Sequence, residues 1–199
     1  AVTAFPRAPA TKVSVYVVIR FWLSVFGESL VFHGLPRPQI LLLLSLAAMF
    51  AASFTAIFQD NLKCLFAYSS VGQIGYIMLG LSFDSATGLT ATIVHLFNHG
   101  VTKGAIFLLL GGVALVMGGT SLARIQGLGQ RMPLTSFGIV LCGLSLIGVP
   151  GTAGFVSKWY LVSGAMAQAQ WFALGVVLLS TLLNAGYFLP IVWRAFFRP

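Results

Sequence analysis

The sequence predicts an all-α fold: a polytopic membrane helix bundle of about six crossings, one of them broken. Three observations carry that expectation. The 199 residues are 58% hydrophobic and 7% charged, with a mean hydropathy of +0.98. Apolar runs recur at lengths near the roughly 20 residues that cross a bilayer. One run is overlong and interrupted by GVPGTAG. A soluble domain carries about 25% charged residues; a surface this poor in charge stays solvated only by lipid, which asks for none.

The first span is predicted at about 11–27 (TKVSVYVVIRFWLSVFG). The turn HGLPRPQ follows, where Pro36 and Pro38 stop one helix and start the next. The second, about 39–59, is the most purely apolar, and the third, about 64–83, follows the polar turn QDNLK. The fourth covers about 88–117. A Gly-rich polar loop, GGTSLARIQGLGQRMP, leads to the fifth, which begins near Leu134 and runs to about 166, too long for one straight crossing. It is predicted to break at 148–154, where Pro150 removes a backbone donor and Gly148, Gly151 and Gly154 loosen the helix. At membrane depth such a break survives only where protein or a polar cavity satisfies the freed backbone, so it points to an ion path. The sixth, about 171–192, ends in PIVWRAFFRP with Trp193 and Arg194 at the interface. Residues 1–199 thus form one transmembrane domain, and a chain that begins with Ala and shows no signal-peptide pattern reads as part of a longer protein.

Eleven Lys and Arg against three acids give a net charge of +8. These basic residues are mostly single and lie in short loops, which makes them topology signals rather than a nucleic-acid footprint. Six crossings put both ends on one side, together with Arg7, Lys63, Arg124, Arg131, Arg194 and Arg198, against Arg37 and Arg20 elsewhere. The positive-inside rule makes the rich side cytoplasmic, in a bacterial inner membrane. Cys64 and Cys142 lack a partner motif and read as free thiols.

Three lysines have no loop to occupy. Lys12 opens the first span, Lys103 lies in the body of the fourth, and Lys158 follows the break in the fifth. A lysine at the bilayer centre costs at least about 2.5 kcal/mol; snorkelling to the interface suits Lys12 better than the other two. Desolvation disfavours a charged amine, so a lysine out of water becomes able to release its proton, and histidine exchanges one near neutrality already. HLFNHGVTKG sets His95, His99 and Lys103 at i, i+4 and i+8, one helix face over about 12 Å. That face admits three readings: a metal-binding histidine pair, a structural hydrogen-bonded pair, or a relay of exchangeable protons. The metal reading is weakened by the lack of a carboxylate or third histidine at membrane depth, since Asp60, Asp84 and His33 fall in loops; no metal and no cofactor are expected. In SSVGQIGY, Ser69, Ser70 and Gln73 are groups that hold water in a bundle or, with Gly72 and Gly75, glue two helices.

Taken together, QDNLKCLFAYSSVGQIGYIMLGLS, HLFNHGVTKGAIFLLLGG and GLSLIGVPGTAGFVSKWYLV resemble the antiporter-like membrane subunits of respiratory complex I, membrane-bound hydrogenases and multi-subunit monovalent cation/proton antiporters. LGQRMPLT and LNAGYFLPIVWRAFF are most similar to the D-type antiporter subunit. The resemblance implies two inverted five-helix repeats within about fourteen helices, of which this chain holds the second repeat and one helix of the first. It implies further that Lys12, His95, His99, Lys103 and Lys158 form the proton path, with Lys63 and Gln73 at polar positions near it. The chain departs from the pattern at Cys64, where an arginine commonly stands, and it does not include the helices that carry the family's glutamate–lysine pair. The expected function is proton translocation within a hetero-oligomeric Na+/proton antiporter. The alternatives are a redox-driven, complex I-like or hydrogenase assembly, in which this chain holds no redox centre of its own, and a structural fragment without transport.

Overall fold

Among the described residues of the computed structural model, four helices are long and apolar enough to cross a membrane, and a shorter apolar helix joins them. The structure describes residues 12–21, 24–25, 37–83 and 85–197. Arg7, His33, Asp84, Arg198 and the rest of the first expected span lie outside them, as does the side chain of Arg37. Residues 12–21 are helical and are termed α1. The others are α2 (Arg37–Ile57), α3 (Leu62–Ser82), α4 (Ala86–Val116), α5 (Leu128–Arg131), α6 (Pro133–Ile147), α7 (Ala153–Ala167) and α8 (Trp171–Phe197). The one-turn α5 was not anticipated, and α8 continues past the expected end at 192.

The helix starts follow local chemistry. Asn61 caps α3 by accepting from Lys63 N, Ser85 caps α4 by accepting from Gly88 N, and Thr152 caps α7 by accepting from Phe155 N. Each side-chain oxygen satisfies one of the orphan amides of a first turn. Pro133 begins α6, where its missing N–H costs nothing.

Helix α2 packs on α3, α4 lies between α3 and α7, and α8 returns against α2 and α6. Close approach of α2 and α3 depends on Gly75, where a Cβ would stand 2.8 Å from the Ser45 carbonyl oxygen. Two apolar cores result. One holds Leu62, Leu65 and Phe66 of α3 with Ile106, Leu110 and Val113 of α4; the other holds Tyr76 and Leu79 of α3 with Ala91 of α4. Ser69 and Gln73 therefore fall between the cores along α3, and His95, His99 and Lys103 fall between them along α4.

One end of the bundle is knit by backbone pairing: Leu62 N donates to Thr120 O and Leu122 N to Asp60 O, at 2.9 and 2.8 Å. Gly129 meets Ala195 and Phe196 at the same end. Lys63, Arg124, Arg131 and Arg194 collect there, whereas Arg20 lies beside Leu89 and Ile93 near the start of α4.

Candidate functional site

The α4 residues His95, His99 and Lys103 are all buried, and the turn spacing places them on the face that meets α3 and α7. At about 1.5 Å per residue, α4 is about 46 Å long, so Lys103, near its midpoint, cannot snorkel to water.

His95 is held on both sides. Its Nε2 is 3.0 Å from Gln73 Oε1 on α3, and its Nδ1 is 2.8 Å from Ser157 Oγ on α7. The Ser157 hydroxyl also lies 3.0 Å from the Gly154 carbonyl oxygen. Tyr76 packs beside the imidazole, ring centroids 5.5 Å apart, and Lys158 Nζ lies over the same phenol, 4.6 Å from its centroid.

Lys158 completes the helix break. Helix α6 ends at Ile147, and Gly148 turns the chain in the left-handed region at φ 89°. Gly148 and Val149 amides both bond to Leu144 O, which leaves later carbonyls of α6 without amide partners. Lys158 Nζ donates to two of them, Leu146 O at 3.0 Å and Ile147 O at 2.8 Å, and to Thr181 Oγ1 at 3.3 Å. An ammonium at a helix C-terminus is favoured by the helix dipole as well as by these bonds. Gly154 brings the two half-helices together: its N donates to Ser145 Oγ, and a Cβ there would collide with the Ser145 carbonyl. Asn98 Nδ2 ties α4 to the break through Ala153 O at 2.8 Å.

Lys103 Nζ donates to Phe66 O at 2.8 Å and to Ser69 Oγ at 2.9 Å, above the Phe66 ring. Between Lys103 and His95 stands His99, stacked on His95 with centroids 6.1 Å apart. Neither of its ring nitrogens has a hydrogen-bond partner among the described residues. Lys12 is buried too, with its stem alongside Gly100.

The structure thus gathers Lys12, His95, His99, Lys103, Lys158, Gln73 and Ser69 into one buried region. Two expected supporting residues stand differently. Lys63 is exposed in the first turn of α3, and Ser70 is half-buried and donates to Phe66 O, the carbonyl that Lys103 also uses. In SSVGQIGY both expected roles occur on different faces: Gly72 and Gly75 pack on α2, while Ser69 and Gln73 enter the polar region.

Several participants were not singled out from the sequence. Tyr187 Oη lies 2.8 Å from Ser69 Oγ and 3.0 Å from Asn184 Oδ1; Ser53 Oγ reaches Asn184 Oδ1 at 3.3 Å and Ser180 Oγ at 3.4 Å. All five are buried. A signal existed, because Ser180, Asn184 and Tyr187 repeat at i, i+4 and i+7 on a mainly apolar helix. Among the described residues no cluster of three metal-ligating side chains occurs, and the single described acid, Asp60, is exposed at the knit end.

Similarity to known proteins gives the family. NADH-quinone oxidoreductase subunit N of Desulforudis audaxviator is 36% identical over 197 residues, covering 99% of this chain and 39% of the relative. The structure of the Mrp complex from Dietzia sp. superposes with a TM-score of 0.84 at 28% identity, over 95% of this chain and 34% of that one. The membrane-bound sulfane sulfur reductase, an archaeal respiratory membrane complex, superposes with a TM-score of 0.77 at 32% identity, over 80% and 33%. The chain therefore spans between a third and two fifths of the length of these relatives. The family described as NADH:quinone oxidoreductase/Mrp antiporter, transmembrane, matches residues 1–184. The chain is an integral membrane protein and belongs to that family.

Proposed function

We propose that this chain is a proton-translocating part of an antiporter-like subunit, working beside other membrane subunits. The observation that carries the reading is His95, bonded to α3 and α7 at once and placed between Lys103 and Lys158, with no carboxylate among the described residues to hold its charge fixed. Gln73 Oε1 accepts only, so His95 Nε2 carries a hydrogen. If Ser157 donates to Nδ1, the ring is neutral. If Ser157 donates to Gly154 O instead, Nδ1 must donate and the ring is a cation. One hydroxyl rotation therefore accommodates both charge states with every heavy atom in place. A proton on Lys103 reaches this ring by way of His99, whose nitrogens have no partner among the described residues and are suited to water; from His95 it passes along Ser157 toward Lys158 and the carbonyl-lined break. Lys12, whose stem lies alongside Gly100 of α4, supplies the path's far end.

The test is Lys158→Ala in the complete subunit, assembled in its complex and assayed in inverted membrane vesicles. Proton-coupled exchange or pumping should fall at least about tenfold with the complex still assembled, the scale of a lost positioned proton-transfer group. An unchanged rate would overturn the proposal.

Two settings suit the same path. Exchange of Na+ for protons in a D-type subunit draws support from the 28% identity to the Mrp complex. Redox-driven pumping draws support from the 36% identity to a subunit N, and in that setting electron transfer belongs to partner subunits. Whether the lumen of inverted vesicles turns alkaline on adding Na+, as protons leave in exchange, or turns acid on adding NADH separates them. The basic cluster of Lys63, Arg124, Arg131 and Arg194 supports a cytoplasmic knit end in a bacterial membrane.

A further inference from the structure

One hydrogen bond at Tyr187 is over-subscribed. A phenol has a single hydrogen, yet Tyr187 Oη stands at bonding distance from two oxygens, Ser69 Oγ at 2.8 Å and Asn184 Oδ1 at 3.0 Å. Asn184 Oδ1 can only accept. Ser69 can do either, and its own oxygen is the partner of Lys103 Nζ. We infer that Tyr187 is a positioning residue that lets the Ser69–Tyr187 hydroxyl pair reverse polarity as Lys103 gains and loses its proton.

When Lys103 is an ammonium, it donates to Ser69, Ser69 donates to Tyr187 and Tyr187 donates to Asn184. When Lys103 is a neutral amine, its nitrogen has a lone pair to satisfy. Ser69 then donates to Lys103 and Tyr187 donates to Ser69. No covalent bond other than the Lys103 N–H changes, and no heavy atom has to move. The ammonium arrangement contains one more bond, the one to Asn184, so the pair favours the charged lysine. Ser53 Oγ, 3.3 Å from the same oxygen, keeps Asn184 Oδ1 partnered in the neutral arrangement. The ionisable groups around Lys103 are Lys12 from α1, His99 from its own helix and Tyr187 from α8; α3 offers Ser69 and the Phe66 carbonyl.

This inference rests on the proposed proton path, and its test separates the two. Tyr187→Phe keeps the ring in its buried site and removes the hydroxyl; Asn184→Leu keeps the volume and removes the acceptor. The pH profile of proton-coupled transport is measured for each in the complete, assembled complex, with Lys103→Ala and Ser82→Ala beside them. In both Tyr187→Phe and Asn184→Leu the midpoint should move toward acid pH by about half a unit, the equivalent of one net hydrogen bond. Ser82→Ala, at a buried serine that bonds only to Leu79 O, should leave it in place. A role limited to packing lowers the amount of assembled complex without moving the midpoint. Unmoved midpoints in both variants, with transport lost in Lys103→Ala, overturn the inference and leave the path standing. Normal transport in Lys103→Ala overturns the path and the inference together.

Discussion

Lys158 closes a helix to which it does not belong: its Nζ lies 2.8 Å from the carbonyl oxygen of Ile147, the last residue of α6. The same ammonium is both the stopper of a broken helix and a member of the buried polar line. Those two roles separate by substitution. Lys158→Arg keeps a cation that can bond to the α6 carbonyls but never releases its proton. The arginine variant should assemble to wild-type levels, read by native gel, while its transport falls at least as far as that of Lys158→Ala. Wild-type transport in the arginine variant would mean that charge alone suffices.

His95 and His99 should part company in the same way. His95→Ala orphans Gln73 Oε1 and removes a partner of Ser157, a loss of about 2 kcal/mol. His99→Ala breaks no hydrogen bond among the described residues and costs mainly packing. Thermal unfolding in detergent should therefore rank His95→Ala well below His99→Ala, although both should lose transport.

The glycines of the break differ in kind. A methyl at Gly154 runs into backbone, the Ser145 carbonyl, which cannot swing aside; Gly154→Ala should cost about 3 kcal/mol, as overpacking does, and abolish assembly. Gly151 faces open space but sits at φ 90°. Gly151→Ala should cost only the strain, about 1–2 kcal/mol, and remain assembled. Quantitative immunoblots of the complex decide both.

Orientation is open to a labelling test. Cys64 is exposed in the first turns of α3, beside Lys63, whereas Cys142 is half-buried in α6. In a Cys142→Ser background, a membrane-impermeant maleimide should label inverted vesicles and spare intact spheroplasts. The reverse pattern would place the basic end outside.

Much of this was legible because lipid imposes severe rules. Lys103 and Lys158 announced themselves through the cost of an amine in hydrocarbon, and the α4 register followed from i, i+4, i+8 spacing alone. The break was visible in Pro150 and its flanking glycines. Which carbonyls Lys158 would bond was not, because α6 and α7 are joined by a turn whose direction depends on the left-handed Gly148. Ser157 was hidden beside Lys158, since a lone serine is cheap in a helix and carries no pattern. Tyr187 and Asn184 had a pattern but meet Ser69, more than a hundred residues away in sequence, and no local rule pairs them. Lys63 looked informative beside its motif and proved peripheral, because α3 begins only one residue before it.

Among the described residues the buried line holds no acid, and that has a kinetic corollary. His95, Lys103 and Lys158 are bases held by neutral dipoles, and the single described acid, Asp60, is exposed. Two unit charges at the 6.1 Å separation of the His95 and His99 rings repel by about 3 kcal/mol at an effective dielectric near 20, roughly a hundredfold penalty. Adjacent rungs are thus seldom loaded together. On the proposed proton path, the ladder would work as a turnstile, admitting each newcomer only as its predecessor departs, and whatever drives one departure would set the pace for all.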